Sequence, residues 1–338
     1  MHRPNRFLIT LCAICLAAQL IPTFDNATAL GYLRIEGQDR YHTASEMAVK
    51  AYPFLSDAVI VASGQNYADS LAGAALSYRL RSPLVLVKKF DDFSGQQRLI
   101  REIQNRWKPF RIIFLGGPNA IDESTVDRAR TFFQGEIVRL WGATRVETSI
   151  AIAKYGWPDG FDEAYITSGN SFKSGLLAGV EAARKEAPLL LSQPQTLPET
   201  LDTYLSSVKP AQLFSVGMST SYLENLSSEV TTRLKGLAST SLNVISDNDE
   251  FSLSISLANR KFPTLEPRVA IIVTNNDFAD ALTSGQFVLS QGGVMLFVKS
   301  NCIPNNIGSW ITQRRGMALW VAGGPAAISN EAASGKQC

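Results

Sequence analysis

Two arginines and a recurring strand-end turn carry most of the chemistry this chain can offer. Arg40 lies in "RIEGQDRYHTASEMA", which starts at Arg34, and Arg145 lies in "RLWGATRVETSIAIA", which starts at Arg139. Each is followed three residues later by a threonine, Thr43 and Thr148. A guanidinium is a planar fork suited to phosphate or carboxylate, so both arginines are candidate anion contacts. The competing structural reading has the arginine clamp a carboxylate of its own domain while the threonine caps a helix. A third copy has Asp249 and Ser252 at these positions, so an arginine site would be lost there.

The second recurring segment joins a strand end to a helix start. It reads Ser63-Gly64-Gln65-Asn66-Tyr67-Ala68-Asp69, then Ser168 through Ser174, then Thr274 through Asp280. Gly64, Gly169 and Asn275 suit a turn with positive φ. Asp69, Ser174 and Asp280 are placed to cap the following helix, and Tyr67, Phe172 and Phe278 to plug the core. A helix N-terminus attracts anions, but a capping carboxylate cancels that attraction. The second copy, with Ser174, Lys173 and Arg145, is therefore the anion-friendly version. Lys88 and Lys89, after the next strand, complete the candidate contacts. A third motif, Gly116-Gly117-Pro118, recurs as Gly323-Gly324-Pro325 and becomes Gly217-Met218-Ser219 in the middle copy. Paired glycines permit a tight turn or a close backbone approach. No dinucleotide fingerprint or phosphate-binding P-loop sequence is present.

Catalytic constellations are scarce. The chain has two histidines. His42, aligned with Glu147 and Phe251, is not repeated and is expected at the surface. No nucleophile–base set stands out. Asp91-Asp92 and Asp247-Asn248-Asp249 are not repeated and do not form a metal set. No catalytic residue, metal or cofactor is expected. A formal charge of +2 without a basic stripe gives no nucleic-acid partner.

These motifs recur at a fixed interval: Gly64 to Gly169 is 105 residues and Gly169 to Asn275 is 106. A period of that length implies a triplicated domain. Within each copy, apolar runs alternate with helix-sized segments. The runs are 58–62, 84–87 and 111–115, then 164–167, 189–191 and 213–216, then 269–274, 294–298 and 318–322. Continuously apolar strands are covered on both faces, and their alternation with helices implies an α/β fold with parallel sheets. A short run opens each unit, at 33–35, 138–140 and 243–245. The units span 30–137, 138–241 and 242–338, the third degenerate and short at its C-terminal end. Residues 1–29 have a basic start, the apolar run Phe7 to Ile21 and the small-x-small site Ala27-Thr28-Ala29, and read as a secretory signal peptide. No transmembrane segment is expected in the mature chain. Cys302 and Cys338 are a candidate disulfide, as export to an oxidising compartment permits.

"RIEGQDRYHTA", "ASGQNYADSLAGAALS", "SPLVLV" and "FLGGPNAID" resemble the motifs of the cell wall binding repeat 2 family. The resemblance covers the whole mature chain, strongly in unit one, well in unit two and partly in unit three. It implies three tandem Rossmann- or Toprim-like domains in a pseudo-threefold arrangement, in an exported protein at the surface of Gram-positive bacteria. It further implies non-covalent attachment to an anionic secondary cell wall polymer. Two other readings stay open. One is a hydrolase of wall glycan or peptide, or a modifier of such an enzyme; the other is a module that binds another surface protein.

Overall fold

The computed structural model describes residues 30–264, 266–314 and 316–338. The signal-peptide reading of residues 1–29 lies outside them. Unit one contains β1 (Tyr32–Ile35), α1 (Arg40–Ala51), β2 (Ala58–Ser63), α2 (Gly73–Leu80) and β3 (Leu84–Val87). It continues with α3 (Gln97–Arg101), which runs into a π-helical turn (Glu102–Trp107), then β4 (Arg111–Leu115) and α4 (Glu123–Ala129). Unit two repeats the pattern as β5 (Glu136–Leu140), α5 (Arg145–Gly156), β6 (Glu163–Ser168), α6 (Lys173–Arg184), β7 (Leu189–Ser192), α7 (Glu199–Val208), β8 (Gln212–Met218) and α8 (Ser228–Leu237). Unit three has β9 (Ser241–Asp247), α9 (Glu250–Lys261), β10 (Val269–Thr274), α10 (Ala279–Ser290), β11 (Val294–Val298), α11 (Asn305–Thr312), β12 (Ala318–Ala322) and α12 (Asn330–Ala333).

The chain is therefore an α/β protein with three parallel four-stranded sheets, ordered β3-β2-β4-β5, β7-β6-β8-β9 and β11-β10-β12-β1. All pairings within them are parallel. The central strands are largely apolar because helices cover both faces; every residue of β2 and β10 is buried.

Sheets and sequence units are out of phase by one strand. The run that opens a unit pairs with the last strand of the unit before it: Leu140 lies opposite Leu115, and Ile245 opposite Val216. Among the described residues β1 is the first strand, and it completes the third sheet, with Ile35 opposite Ala322. The three lobes thus form a closed ring. Arg34 and Arg139 clamp this exchange. Arg34 donates to the carbonyls of Gly323 (2.6 Å) and Ile328 (3.0 Å); Arg139 donates to those of Gly116 (2.9 Å) and Ile121. At the corresponding place β9 has the exposed Val244.

The ring has a packed centre. Helices α2, α6 and α10 meet there, and glycine allows the approach: a Cβ on Gly175 would stand 2.8 Å from a methyl of Leu71. Tyr67, Phe172 and Phe278 form an aromatic trio with centroids 5.7, 5.7 and 6.3 Å apart. Gln286 of α10 reaches unit one, where its side-chain amide accepts from Leu84 N (2.8 Å) and donates to Leu84 O (2.6 Å), satisfying the edge strand β3.

The terminus is pinned rather than ragged. Cys302 and Cys338 are joined by a disulfide with Cα atoms 5.1 Å apart, and Ile303 bridges to Gln337. Leu30 N donates to Ser334 O (3.1 Å), so both ends of the described chain lie on the third lobe. Among the described residues no helix is long and apolar enough to cross a membrane. Replacing both cysteines with serine removes a cross-link between residues 36 apart in sequence. Loop-closure entropy predicts a loss of about 4 kcal/mol, measured as a shift in urea unfolding between the variant and the oxidised wild type.

Candidate functional site

The repeated turn and the repeated helix start meet inside each unit. Helices α1, α5 and α9 begin at Arg40, Arg145 and Glu250, with Asp39, Thr144 and Asp249 as N-caps. The equivalent of Arg40 and Arg145 in unit three is therefore Glu250, not Asp249, and that of Thr43 and Thr148 is Leu253, not Ser252. His42 likewise matches Ser252 rather than Phe251. The slip of one residue arose because unit three keeps neither motif residue.

Thr43 and Thr148 are not caps. They lie buried one turn into their helices and accept from Gly37 N (3.0 Å) and Gly142 N (3.1 Å), fixing the loop that leads in from the donated strand. Gly64, Gly169 and Asn275 are not in positive-φ turns. Gly64 and Gly169 are glycine because a side chain arrives there: a Cβ would stand 2.6 Å from the Tyr41 ring or 2.7 Å from Arg145 Cδ. Arg40 donates to Gly64 O (2.7 Å) and Arg145 to Gly169 O. In unit three the polarity is reversed and the contact survives, because Asn275 Nδ2 donates to Glu250 Oε1 (2.9 Å).

Asp69, Ser174 and Asp280 are not helix caps either. Asp69 precedes α2 by several residues, whose N-cap is Ala72; Ser174 and Asp280 lie inside the first turns of α6 and α10. The two carboxylates pack against the glycines of the Gly-Gly turns, Asp69 on Gly116 and Asp280 on Gly323, both of which have positive φ. In unit two the smaller Ser174 leaves room for Glu224, a buried acid that accepts from Ser174 N (3.1 Å) and Ser171 Oγ (2.5 Å). The expectation that unit two offers the anion-friendly helix start is overturned, since Glu224 supplies the charge its own sequence position lacks.

The turn of one unit faces the helix start of the next, and the three junctions differ. Between units three and one, Arg40 pairs with Asp277 (2.8 Å) beside the Phe278 ring. Between units two and three, Lys173 pairs with Glu250 (2.7 Å), and burial leaves only about a tenth of the Glu250 side chain exposed. Burial raises the Glu250 carboxyl, but bonds from Lys173 and Asn275 outweigh it and hold the group below the usual range. Between units one and two, Asn66 stands where Asp277 stands in unit three, and among the described residues Arg145 makes no ion pair. Its guanidinium lies 6.0 Å from the Tyr67 ring centre and lines an open cavity of about 430 Å³.

That cavity is also lined by Asn66, Asp69, Asn119, Trp141, Asn170 and Gln193. The candidate cations do not converge on it. Arg40 and Lys173 are braces at the other junctions. Lys88 lies over the Tyr41 ring (5.6 Å) and Lys89 over that of Phe90 (5.2 Å). Trp141 and the three asparagines escaped the sequence reading because they are not repeated; unit one has Glu36 at the place of Trp141.

A profile of the cell wall binding domain 2 (CWB2) family matches residues 34–126 and 139–224. The chain belongs to this family. Two curated proteins of Bacillus subtilis (strain 168) align with parts of it. The N-acetylmuramoyl-L-alanine amidase LytC is 29% identical over 152 residues, 44% of this chain and 28% of its own length. The amidase enhancer is 25% identical over 167 residues, 49% of this chain and 22% of its own length. The chain thus spans about a quarter of these relatives. Among solved structures, Cwp6 from Clostridium difficile superposes with a TM-score of 0.81 at 18% identity, covering 94% of this chain and 49% of that one. Cwp8 from the same organism gives 0.74 at 20%, covering 88% and 50%. At such identities the likeness is one of fold.

The CWB2 junctions carry unequal burdens of buried charge. Burial pushes the Asp280 carboxyl up to about 6; the Asp277 charge adds to this and Arg40 opposes it. In the unfolded chain the same group titrates near 4. Between those values the folded state holds a proton that the unfolded state has lost. The group's contribution to stability is therefore full below about pH 4 and is lost as the pH rises through about 6. The advantage of Asp280→Asn over wild type should grow between pH 4 and pH 7.5 by on the order of 2 kcal/mol. Paired urea unfolding curves at the two pH values measure it; an unchanged difference would mean the carboxyl is not desolvated.

Proposed function

We propose that this protein is exported through the leader at residues 1–29 and attaches non-covalently to the cell envelope by gripping an anionic secondary wall polymer, without catalysis of its own. Membership of the CWB2 family supports association with the wall. The observation that carries the finer reading is the state of Arg145. Among the described residues it is the junction arginine that makes no ion pair, and together with Asp69 it lines an open cavity. A planar fork held by one carbonyl, with its remaining donors presented outward, is an anion grip prepared in advance.

A second reading, action beside a wall-modifying enzyme, draws on the names of the amidase and the amidase enhancer. Turnover of purified peptidoglycan by an amidase with and without this protein separates it from simple attachment.

The polymer reading is tested by retention on purified walls before and after acid stripping of secondary polymers. Arg145→Ala should reduce retention about tenfold, the scale of one charge-assisted hydrogen bond, with a melting temperature no lower than that of Arg40→Ala, which loses the equivalent carbonyl bond. Arg40→Ala, which breaks a half-exposed brace, should leave retention within about twofold of wild type. Equal retention on stripped and intact walls would count against polymer recognition, and loss of folding in Arg145→Ala would mark the residue as structural.

A further inference from the structure

Trp141 directly follows the donated strand β5 and is 51% exposed. Its ring rests on the Gly-Gly turn of unit one; a Cβ on Gly117 would stand 2.7 Å from Trp141 Cε3. One side of a large aromatic surface is thus seated on backbone while half of the residue stays in water. Trp141 and Gly142 line two cavities at once. The first is the junction cavity of about 430 Å³ that holds Arg145. The second, of about 630 Å³, lies between α5 and α7 and is lined by Lys154, Glu199, Thr200 and Tyr204.

Four neutral amides, Asn66, Asn119, Asn170 and Gln193, line the first cavity beside Arg145 and Asp69. An amide side chain offers donors and an acceptor together, the complement of sugar hydroxyl and acetamido groups. A pyranose has an apolar C–H face and a polar rim. An aromatic plate with amides around it matches both, as sites of mixed apolar wall and few placed polar groups do. The other junctions lack the set. The places of Trp141 are taken by Glu36 and Ser246, those of Asn119 by Ala326 and Thr220, and those of Asn66 by Asp277 and Ser171. Glu36 would repel an anionic chain where Trp141 would carry it.

We propose that the two cavities meeting at Trp141 form one saccharide site, present once in the molecule, in which an uncharged pyranose stacks on the indole while Arg145 takes an adjacent anionic group. This rests on the polymer-binding reading and adds to it the sugar-recognising half.

The test uses the purified protein and two probes from the wall of the strain that expresses it. One is the intact secondary polymer; the other is the neutral oligosaccharide released from it by hydrofluoric acid, which cleaves phosphodiesters. The chain has five tryptophans, of which Trp107, Trp157 and Trp310 are buried, so the fluorescence signal is read as the difference between wild type and Trp141→Phe. The neutral oligosaccharide should give a saturable fluorescence change in wild type that Trp141→Phe lacks. Calorimetry should show Trp141→Phe binding within about threefold of wild type and Trp141→Ala at least tenfold weaker. Asn119→Ala, an exposed change that does not threaten folding, should bind severalfold more weakly. Wild-type affinity in Trp141→Ala overturns the inference. So does binding of the intact polymer without any binding of the neutral oligosaccharide, a result that leaves the polymer reading standing. Failure of both probes to bind would remove the two readings together.

Discussion

The structure depends on one pairing: the strand that opens each unit completes the parallel sheet of the unit before it. A β-edge left open at β4, β8 or β12 would expose unpaired backbone and invite association. Donation of β5, β9 and β1 closes those edges within the molecule. Because β1 lies at the start of the chain and β12 near its end, the last pairing turns a row of three units into a ring. The ring in turn brings three helices and three aromatic side chains to a shared centre. The loop that follows each donated strand is laid over the Gly-Gly turn of the neighbouring lobe. The junction cavity is a by-product of that placement, with walls from two units fixed by hydrogen-bonded sheet rather than by loop packing alone.

Triplication supplied three equivalent junctions, and point changes then gave them separate roles. One ends in an arginine–aspartate pair and one in a lysine–glutamate pair. In the third, asparagine replaces the aspartate and the arginine keeps donors to spare. The exchange in unit three is instructive. Arginine became glutamate and the facing glycine became asparagine, and together they preserve a bond that either change alone would break. All three units keep a bond between helix start and turn, while among the described residues one junction keeps an arginine without an ion pair.

Much of the architecture could be read from the sequence, because strands buried on both faces must be apolar without interruption. The runs at 84–87, 111–115, 269–274, 294–298 and 318–322 coincide with strands. Their assignment to sheets could not be read, since a donated strand and a retained one have the same composition. The turn glycines were misread for a related reason: a glycine needed for close approach looks the same in sequence as one needed for positive φ. Gly64 is explained only by the Tyr41 ring beside it. Repetition directed attention to Arg40 and Arg145 alike, although Arg40 braces the fold. It directed attention away from Trp141, which is not repeated in the other units.

If the junction between units one and two is where the polymer is held, binding should quench local opening there and nowhere else. Hydrogen–deuterium exchange of the protein with and without purified wall polymer measures this peptide by peptide. Added protection confined to segments around 66–69, 117–119, 141–146 and 192–193 is the expected result. Equal protection at all three junctions, or protection that leaves residues 141–146 unchanged, would contradict the account.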